Sequence, residues 1–466
     1  MPKIDGTGPE RMAVFVSKIR EMKDALWYSE LDNSLCGSGK RGGKRGPVMI
    51  LSYAVYLLCI LFLLWGGRFA GFGDRFHEDF LSKDSTKSLC GIAALFIIFH
   101  HIAQEWPFYG VTGELSFFND IGCLLVSIFF FTSGYGLTLN ADRDPDYMKD
   151  FGRRRLPVVL VPFYVANILF ALNYIAVGKA SAPKIIFGVL GLTQLNPYGW
   201  FPFVLFLFYL VFWFSRTRLK TVRARLWLYA GATVFVLAAF SVMGHFAWWA
   251  GEPGWWLEPD GFAKASWWMQ KRTLWFNWEC WMNSSVGFVL GAATASYKEK
   301  IVSWFKKNYW WKLAAFTALF FVSLTIFHAV RRKLGYYTEN YGPDPGILQK
   351  FITGLSQQPV AAFFDVALFA GMMKFRTENR LSRFLGKFTY ETYLLGLVAL
   401  ESFQFLEYTA DGNGGWAAMT WQPYNWNLIL YTLAVVPVTI LVGYLANKLD
   451  SLLIRKLSSK KAPEKG

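Results

Sequence analysis

Apolar residues occur in long runs, separated by short polar connections, along almost the whole chain. Leu51–Trp65, Leu226–Gly244 and Asn427–Ala446 are three examples. A helix needs about 20 apolar residues to cross a hydrocarbon core of about 30 Å. The pattern therefore predicts an all-α fold: a polytopic transmembrane helix bundle of about ten core helices plus an extra N-terminal hydrophobic segment.

The runs also predict the limits of the spans and of the larger segments. Spans are expected near 48–65, 88–106, 121–139, 157–178, 199–214, 226–244, 282–297, 313–330, 357–373, 384–406 and 427–446. By this division, 1–46 is a basic N-terminal segment, 47–66 the extra hydrophobic segment, 85–446 the main transmembrane domain and 447–466 a basic tail.

Composition agrees with a membrane environment. The chain is 54% hydrophobic and 17% charged, whereas soluble domains carry about 25% charged residues. The net charge of +16 would also suit a nucleic-acid-binding protein, but the basic residues lie between the apolar runs, so no nucleic-acid partner is expected. Five cysteines without pairing or ligand spacing predict no disulfide framework and no metal site. The first 46 residues lack an apolar core near the start, which argues against a cleaved signal peptide.

Charge is distributed asymmetrically between alternate connections. Counted with the tail, one set of connections carries 26 lysines and arginines and the other set carries nine. Basic loops stay in the cytoplasm, so the sequence predicts a cytoplasmic C-terminus and an outward course for the second span. Eleven spans would then leave the basic stretch Lys40–Arg45 outside. Either the first segment does not cross fully or Ile185–Leu195 is a re-entrant piece, and the sequence leaves both open.

A connection rich in tryptophan follows the span at 226–244. Its tryptophans are Trp248, Trp249, Trp255, Trp256, Trp267, Trp268, Trp275, Trp278 and Trp281. Tryptophan is enriched where a helix meets the membrane surface, so an interfacial belt is one interpretation. A stacking platform for an extracytoplasmic ligand such as a sugar is the other.

The second span ends with two histidines, His100 and His101. Polar groups are costly in lipid, so these side chains should face the bundle interior or a wet cavity. The helix rises by about 20 Å from Ser88 to His101, which puts His101 in the outer half of the membrane. Glu105 follows at i+4 on the same face. A carboxylate beside an imidazole suits a general base, although an interfacial pair that merely faces water fits equally.

Other polar residues inside the spans support weaker predictions. Asp365, Glu391 and Glu401 should each have a partner, and helix-to-helix hydrogen bonding is their expected role. His245 and His328 are expected at the level of His101, but their spacing does not support a metal site.

Six segments resemble, in order, the helix signatures of the acyltransferase-3 family of membrane-bound O-acyltransferases that modify cell-surface glycans. The segments are Cys90–His101, Phe129–Leu137 (FFFTSGYGL), Phe151–Tyr164, Trp200–Tyr209, Asn283–Ser285 with Tyr297–Ile301, and Leu385–Leu394. The resemblance makes 85–446 an acyltransferase-like transmembrane domain. The family pattern is an arginine, ten residues and a catalytic histidine. His101 occupies the histidine position, Cys90 the arginine position, and Gly396 a position where many relatives have histidine.

The resemblance implies transfer of an acyl group, with acetyl the expected one, from acyl-CoA to a hydroxyl of an extracytoplasmic glycan or glycolipid. Acyl-CoA would be a co-substrate, with no permanently bound cofactor. The expected location is the plasma membrane of a bacterium, with membrane lipids around the bundle. Donor and acceptor would approach from opposite sides of the membrane.

Candidate residues follow from this chemistry. We predict His101 as the general base and Glu105 as the group that orients it. Lys87 and the arginines Arg153, Arg154 and Arg155 are candidates for the donor's charges, since guanidinium groups suit phosphate; the arginines could instead only set topology. Asn283, Ser284 and Trp278 are candidates for substrate binding.

Two other function classes remain open from the sequence. A transporter or flippase of a polar or lipid-linked substrate would also need polar groups in the bundle, but it should show broken helices repeated in two halves, and no such repeat is evident. An inactive acyltransferase-like scaffold is compatible with Cys90 at the arginine position. The acceptor, the acyl chain length and the oligomeric state do not follow from the sequence.

Overall fold

The computed structural model describes residues 49–105, 107–176, 182–190, 195–196, 199–243, 284–335, 347–410, 416–418 and 426–459. The predictions for the basic segment 1–46, the nine tryptophans, His245 and Asn283 lie outside these residues.

The chain is helical nearly throughout this part. The helices are α1 Ile50–Leu64, α2 Lys83–Ala103, α3 Gly122–Arg143, α4 Phe151–Ala176, α5 Ala182–Val189, α6 Trp200–Arg218, α7 Val222–Met243, α8 Val286–Ser296, α9 Lys298–Lys306, α10 Tyr309–Leu334, α11 Ile347–Met372, α12 Arg380–Leu385, α13 Thr389–Ser402 and α14 Trp426–Ser459. Short helical turns cover Pro107–Thr112, Ser116–Phe118 and Gln404–Leu406. Two antiparallel ribbons pair β1 Gly67–Phe69 with β2 Phe375–Thr377, and β3 Tyr408–Ala410 with β4 Trp416–Ala418.

Seven of the described helices, α2, α3, α4, α6, α7, α10 and α14, are long and apolar enough to cross a membrane. They confirm the predicted all-α polytopic bundle, and the chain is an integral membrane protein. The run predicted at 384–406 is interrupted: α12 ends at Leu385 and α13 begins at Thr389. The Gly386 turn between them packs against the Lys87 carbonyl of α2. Helix α11 begins ten residues before the span predicted at 357–373.

Glycines set the distance between α3 and α8 at the centre of the bundle. A Cβ atom on Gly134 would lie 2.2 Å from the Phe288 carbonyl oxygen, and one on Gly291 would lie 2.0 Å from the Phe131 carbonyl oxygen. Both distances are far below van der Waals contact, so neither position accepts a larger residue without separating the helices. Small residues allow such close packing where helices associate in lipid.

Aromatic rings fill the space around this contact. Phe208 lies 4.8 Å from Phe288 between ring centroids, and Phe131 stacks on Phe369 at 3.7 Å. Helix α10, by contrast, has only 11% of its membrane-spanning stretch buried inside the protein. The bundle therefore has a dense aromatic centre, and α10 presents most of its surface outward, as a lipid-facing helix does.

Helix α1 reaches both faces of the bundle. At its first turn Ser52 bonds the buried Glu114 carboxylate, which lies in the connection between α2 and α3. At its end the carbonyls of Phe62 and Trp65 accept hydrogen bonds from Asn379, just before α12. The first hydrophobic segment thus extends along the whole bundle, whereas α5, in the stretch considered as re-entrant, is a short helix of eight residues packed on α4.

We call the face at which α14 ends the tail face, and the other the far face. On the tail face, Arg376 of β2 forms ion pairs with Asp79 and Glu378. The hydrogen bond from Arg376 holds the pKa of Asp79 below its ordinary value. Glu378 also accepts a bond from Ser85 at the start of α2. This network fixes the tail-face end of α2.

Candidate functional site

His101 lies in the last turn of α2 and points into the bundle. Its side chain is 5% exposed. A Cβ atom on Gly396 of α13 would lie 4.0 Å from His101 Nδ1 and 3.7 Å from Cγ2 of Thr439 on α14. Both are ordinary contact distances, so three helices leave room for a small group beside the imidazole. The position at which relatives have a histidine therefore faces His101 directly.

Thr439 adds a polar group at this point. It is fully buried, and its hydroxyl has no hydrogen-bond partner among the described residues. A buried polar atom without a partner is costly and calls for an explanation, such as a water or a ligand. Sequence reasoning missed Thr439, since a single threonine in an apolar helix carries no distinguishing signal.

His100 has a different position from its neighbour. Its Nδ1 lies 2.7 Å from the Phe118 carbonyl oxygen, so this nitrogen donates. The ring also packs against Gly122 of α3, where a Cβ atom would lie 2.3 Å from His100 Nε2. Consecutive helical residues point about 100° apart. His100 is consequently held against α3, while His101 faces α13 and α14.

Glu105 interacts electrostatically with a second carboxyl group, Glu407. Burial raises the pKa of Glu407 well above its ordinary value, and the charge of Glu105 raises it further. In the described part of the chain, neither carboxyl oxygen of Glu407 has a hydrogen bond of good geometry. The Tyr431 hydroxyl nevertheless favours the ionised form of Glu407 and so lowers its pKa in part. The predicted role of Glu105 as the group that orients His101 stays a prediction.

A cavity of about 300 Å³ opens in the tail-face half of the bundle. It is lined by Cys90, Phe129, Thr132, Ser133, Val158, Val159, Phe201, Leu205, Tyr209, Lys387, Thr389, Tyr390, Glu391, Tyr393 and Asn447. We call it the Cys90 cavity. Its wall combines apolar and aromatic side chains with hydroxyl, amide and charged groups, the usual lining of a small-molecule site.

Cys90 ties this cavity to the helix that carries His101. Its Sγ lies 3.5 Å from the Thr132 hydroxyl oxygen. His101 lies eleven positions after Cys90 on α2, which corresponds to a rise of about 16 Å. The position that holds arginine in the family pattern therefore faces a cavity, with the imidazole further along the same helix.

The predicted donor cations lie outside the lining of this cavity. Lys87, Arg153 and Arg154 are exposed, and Arg154 pairs with Asp144 at 3.3 Å. Arg155 donates to the Tyr147 hydroxyl at 2.6 Å. The cation among the lining residues is Lys387, which sequence reasoning treated only as a charge that sets topology.

Ser284, the predicted substrate-binding serine that the structure describes, starts α8 deep inside the bundle. It is fully buried with a positive φ of 43°, and its hydroxyl and that of Ser285 lack hydrogen-bond partners in the described chain. Asp365 lies against the same turn, since a Cβ atom on Gly287 would lie 3.0 Å from Asp365 Oδ2. Asn283 and Trp278 lie outside the described residues.

The three carboxylates predicted to act structurally each accept a hydrogen bond. Ser127 donates to Asp365 at 2.5 Å, Asn447 to Glu391 at 2.8 Å, and Asn173 to Glu401 at 3.1 Å. Each bond joins two different helices. Such bonds satisfy polar groups that would otherwise be costly inside the membrane.

Comparison with known proteins agrees with this arrangement. Residues 89–448 match the profile of the acyltransferase domain that defines the acyltransferase-3 family. No curated protein and no solved structure matches the chain. The match includes α2 with Cys90 and His101, the whole lining of the Cys90 cavity and the turn that carries Lys387. The chain belongs to the acyltransferase-3 family.

Proposed function

We propose that this chain transfers an acyl group, expected to be acetyl, from acyl-CoA to a hydroxyl of an extracytoplasmic glycan or glycolipid. Family membership supports acyl transfer by a membrane enzyme. The observation that carries the finer proposal is the placement of a cavity and a buried histidine on one helix, with the cavity in the tail-face half.

His101 is the proposed general base. It takes the proton of the acceptor hydroxyl as the oxygen attacks the thioester carbonyl. A carbon–oxygen bond forms, the carbon–sulfur bond breaks, and the CoA thiolate leaves and takes up a proton. The absence of a side chain at Gly396 supports this role, because it leaves room for a small group beside His101 Nδ1 and the unpartnered Thr439 hydroxyl.

The Cys90 cavity is the proposed entry of the donor. Its apolar wall suits the acyl group and the arm that carries it, and its hydroxyl and amide groups suit the amides of that arm. Arg153, Arg154 and Arg155, at the start of α4, remain candidates for the donor's phosphates. Since Cys90 and His101 are about 16 Å apart along α2, the arm would extend from the Cys90 level toward His101.

The tail face is the proposed cytoplasmic face, in the plasma membrane of a bacterium. The excess of basic residues in the tail and the connections on its side supports this orientation. Because α1 reaches from the far face to the tail face, its first turn with Ser52 should then lie on the extracytoplasmic side. In intact cells, a protease added outside should cut a tag placed directly before α1 and should not cut a tag at the C-terminus. The reverse result would invert the orientation.

Replacement of His101 tests the mechanism. Purified protein in vesicles is given labelled acetyl-CoA and a glycolipid acceptor, and both free CoA and labelled glycolipid are measured. His101→Ala should abolish both products while membrane insertion is retained, and His328→Ala, on the peripheral helix α10, should behave as wild type. Near-normal turnover in His101→Ala would remove the mechanism, and acceptor movement without CoA release would favour a transporter.

A further inference from the structure

The turn between α12 and α13 is fixed against α2 by backbone packing. A Cβ atom on Gly91 would lie 2.6 Å from the Gly386 nitrogen, and one on Gly386 would lie 2.1 Å from the Lys87 carbonyl oxygen. The hydroxyl groups of Ser88 and Ser382 bond across the same contact. The residue that follows Gly386 is therefore held at the depth of Cys90.

That residue is Lys387, and its side chain lines the Cys90 cavity. Two other lysines on this face are engaged: Lys374 donates to the Gly73 and Arg75 carbonyls, and Lys306 pairs with Glu78 at 2.6 Å. Lys387 has neither an ion pair nor a side-chain hydrogen bond within the described residues. Its ammonium is thus a hydrated, uncompensated charge at the edge of a cavity.

The acidic group in the lining does not neutralise Lys387. Glu391 follows at i+4 but accepts its hydrogen bond from Asn447 of α14 at 2.8 Å. The lining thus contains the Lys387 ammonium on the turn. One helical turn further along it contains the Glu391 carboxyl group, which is hydrogen-bonded to the Asn447 amide. An anion bound at the turn would meet Lys387 before it met Glu391.

Position 90 of α2 is a cysteine where the family pattern has an arginine. Lys387 lines the same cavity from the turn between α12 and α13. We propose that Lys387 binds a phosphate group of the donor in the Cys90 cavity, and so supplies from α12–α13 the cation that position 90 of this chain lacks. The proposal rests on the proposed function, because it requires an acyl-CoA donor. Lys387 and Lys87 are both exposed, but only Lys387 lies in the cavity lining.

The type of cation determines how the contact between Lys387 and phosphate should respond to salt and to substitution. Lysine is a compact point charge on a flexible stem, whereas arginine forms a bidentate fork with phosphate. Binding through Lys387 should therefore depend on charge more than on geometry, and it should weaken as salt is added. Arginine at position 387 should preserve the interaction, and glutamine, of similar length but neutral, should remove it.

The experiment compares two donors that differ in their phosphates. KM and kcat are measured with acetyl-CoA and with acetyl-pantetheine for wild type, Lys387→Gln, Lys387→Arg and the matched control Lys83→Gln, which changes an exposed lysine outside the cavity lining. We expect KM for acetyl-CoA to rise about tenfold in Lys387→Gln, the size expected for loss of one charged hydrogen bond. Its kcat and its KM for acetyl-pantetheine should not change, and the other two variants should resemble wild type.

A second variant tests the exchange of cations directly. Cys90→Arg introduced into Lys387→Gln should restore most of the lost affinity for acetyl-CoA, because the new guanidinium would enter the same cavity. Two results would overturn the proposal: an unchanged KM in Lys387→Gln, or an equal rise for both donors, which would mark a merely structural lysine.

Failure of the proposed function gives a different result. If wild type turns over neither donor, binding of CoA is measured by calorimetry on the same reconstituted protein. Weaker CoA binding by Lys387→Gln than by Lys83→Gln would support the phosphate contact although transfer itself had failed. Equal binding by the two variants would contradict the lysine's role.

Discussion

The two ends of helix α2 differ in how they meet their surroundings. Toward the tail face, Cys90 borders a cavity of about 300 Å³ that contains an uncompensated lysine. Toward the far face, His101 is 5% exposed and enclosed by α13 and α14. One end is built to admit a molecule, and the other to hold one side chain in place.

This difference suggests that the tail-face end of α2 binds the donor and that the far-face end carries out proton transfer. Recognition of a charged donor benefits from a hydrated entrance, since an exposed cation attracts anions over a Debye length of about 10 Å. Proton transfer benefits from a fixed imidazole in a dry site, where water does not compete. If the comparison is right, changes at one end should affect binding, and changes at the other should affect turnover.

The largest expected effect comes from the packing that both ends share. Gly134→Ala places a methyl group 2.2 Å from the Phe288 carbonyl oxygen and forces α3 and α8 apart. Overpacking of this kind costs about 1–3 kcal/mol, so the variant should lose thermal stability and both donor binding and transfer. Gly136→Ala on the same helix meets open space and is the matched control. Equal melting temperatures for the two variants in detergent would contradict this packing.

Gly396→Leu should show that the two ends of α2 have independent functions. The side chain would fill the space between His101 and Thr439, and kcat should fall by at least tenfold while the Kd for CoA stays within about twofold of wild type. Gly396→Ala should be tolerated, because its Cβ meets only ordinary contacts. A large loss of CoA binding in Gly396→Leu would show that the ends are not independent.

Cysteine modification should sharpen the description of the cavity. In a chain whose only cysteine is Cys90, a small thiol reagent should modify it, and CoA should slow the reaction several-fold because Cys90 lines the proposed donor cavity. A chain whose only cysteine is Cys123, at the far-face start of α3, is the control and should show no protection. Equal protection at both positions would argue against a donor site confined to the tail-face half.

The smallest expected effect is a pH dependence at the far face. Burial and the neighbouring Glu105 raise the pKa of Glu407 above its ordinary value. The folded protein then holds a proton that the unfolded chain has released, so stability should fall as pH rises from the ordinary carboxyl range through the raised pKa. Glu407→Gln should reduce the difference between melting temperatures at pH 5 and pH 8. An unchanged difference would contradict the assignment.

The sequence was sufficient for the features that depend on one segment at a time. Apolar runs predicted the bundle, because lipid demands long apolar helices, and the cost of a polar group in lipid predicted that His101 faces inward. The break between α12 and α13 was missed because apolar residues lie on both sides of the Gly386 turn. Gly386 itself was the available signal.

The remaining site features depend on contacts between distant segments. Lys387 was counted among the topology-setting charges, and only the close approach of Gly91 to Gly386 shows that it reaches the level of Cys90. The pairing of Glu105 with Glu407 likewise joins two connections about 300 residues apart. Periodicity describes which face of a helix is apolar, but it does not specify which other helix covers that face.

The most direct measurement of the central claim is a sidedness assay in sealed vesicles of known orientation. Labelled acetyl-CoA is enclosed on the tail face or on the far face, and the acceptor is supplied on the far face only. The account predicts labelled acceptor when acetyl-CoA is on the tail face and none when it is on the far face. Transfer that requires both substrates on the far face would contradict a donor that enters through the Cys90 cavity.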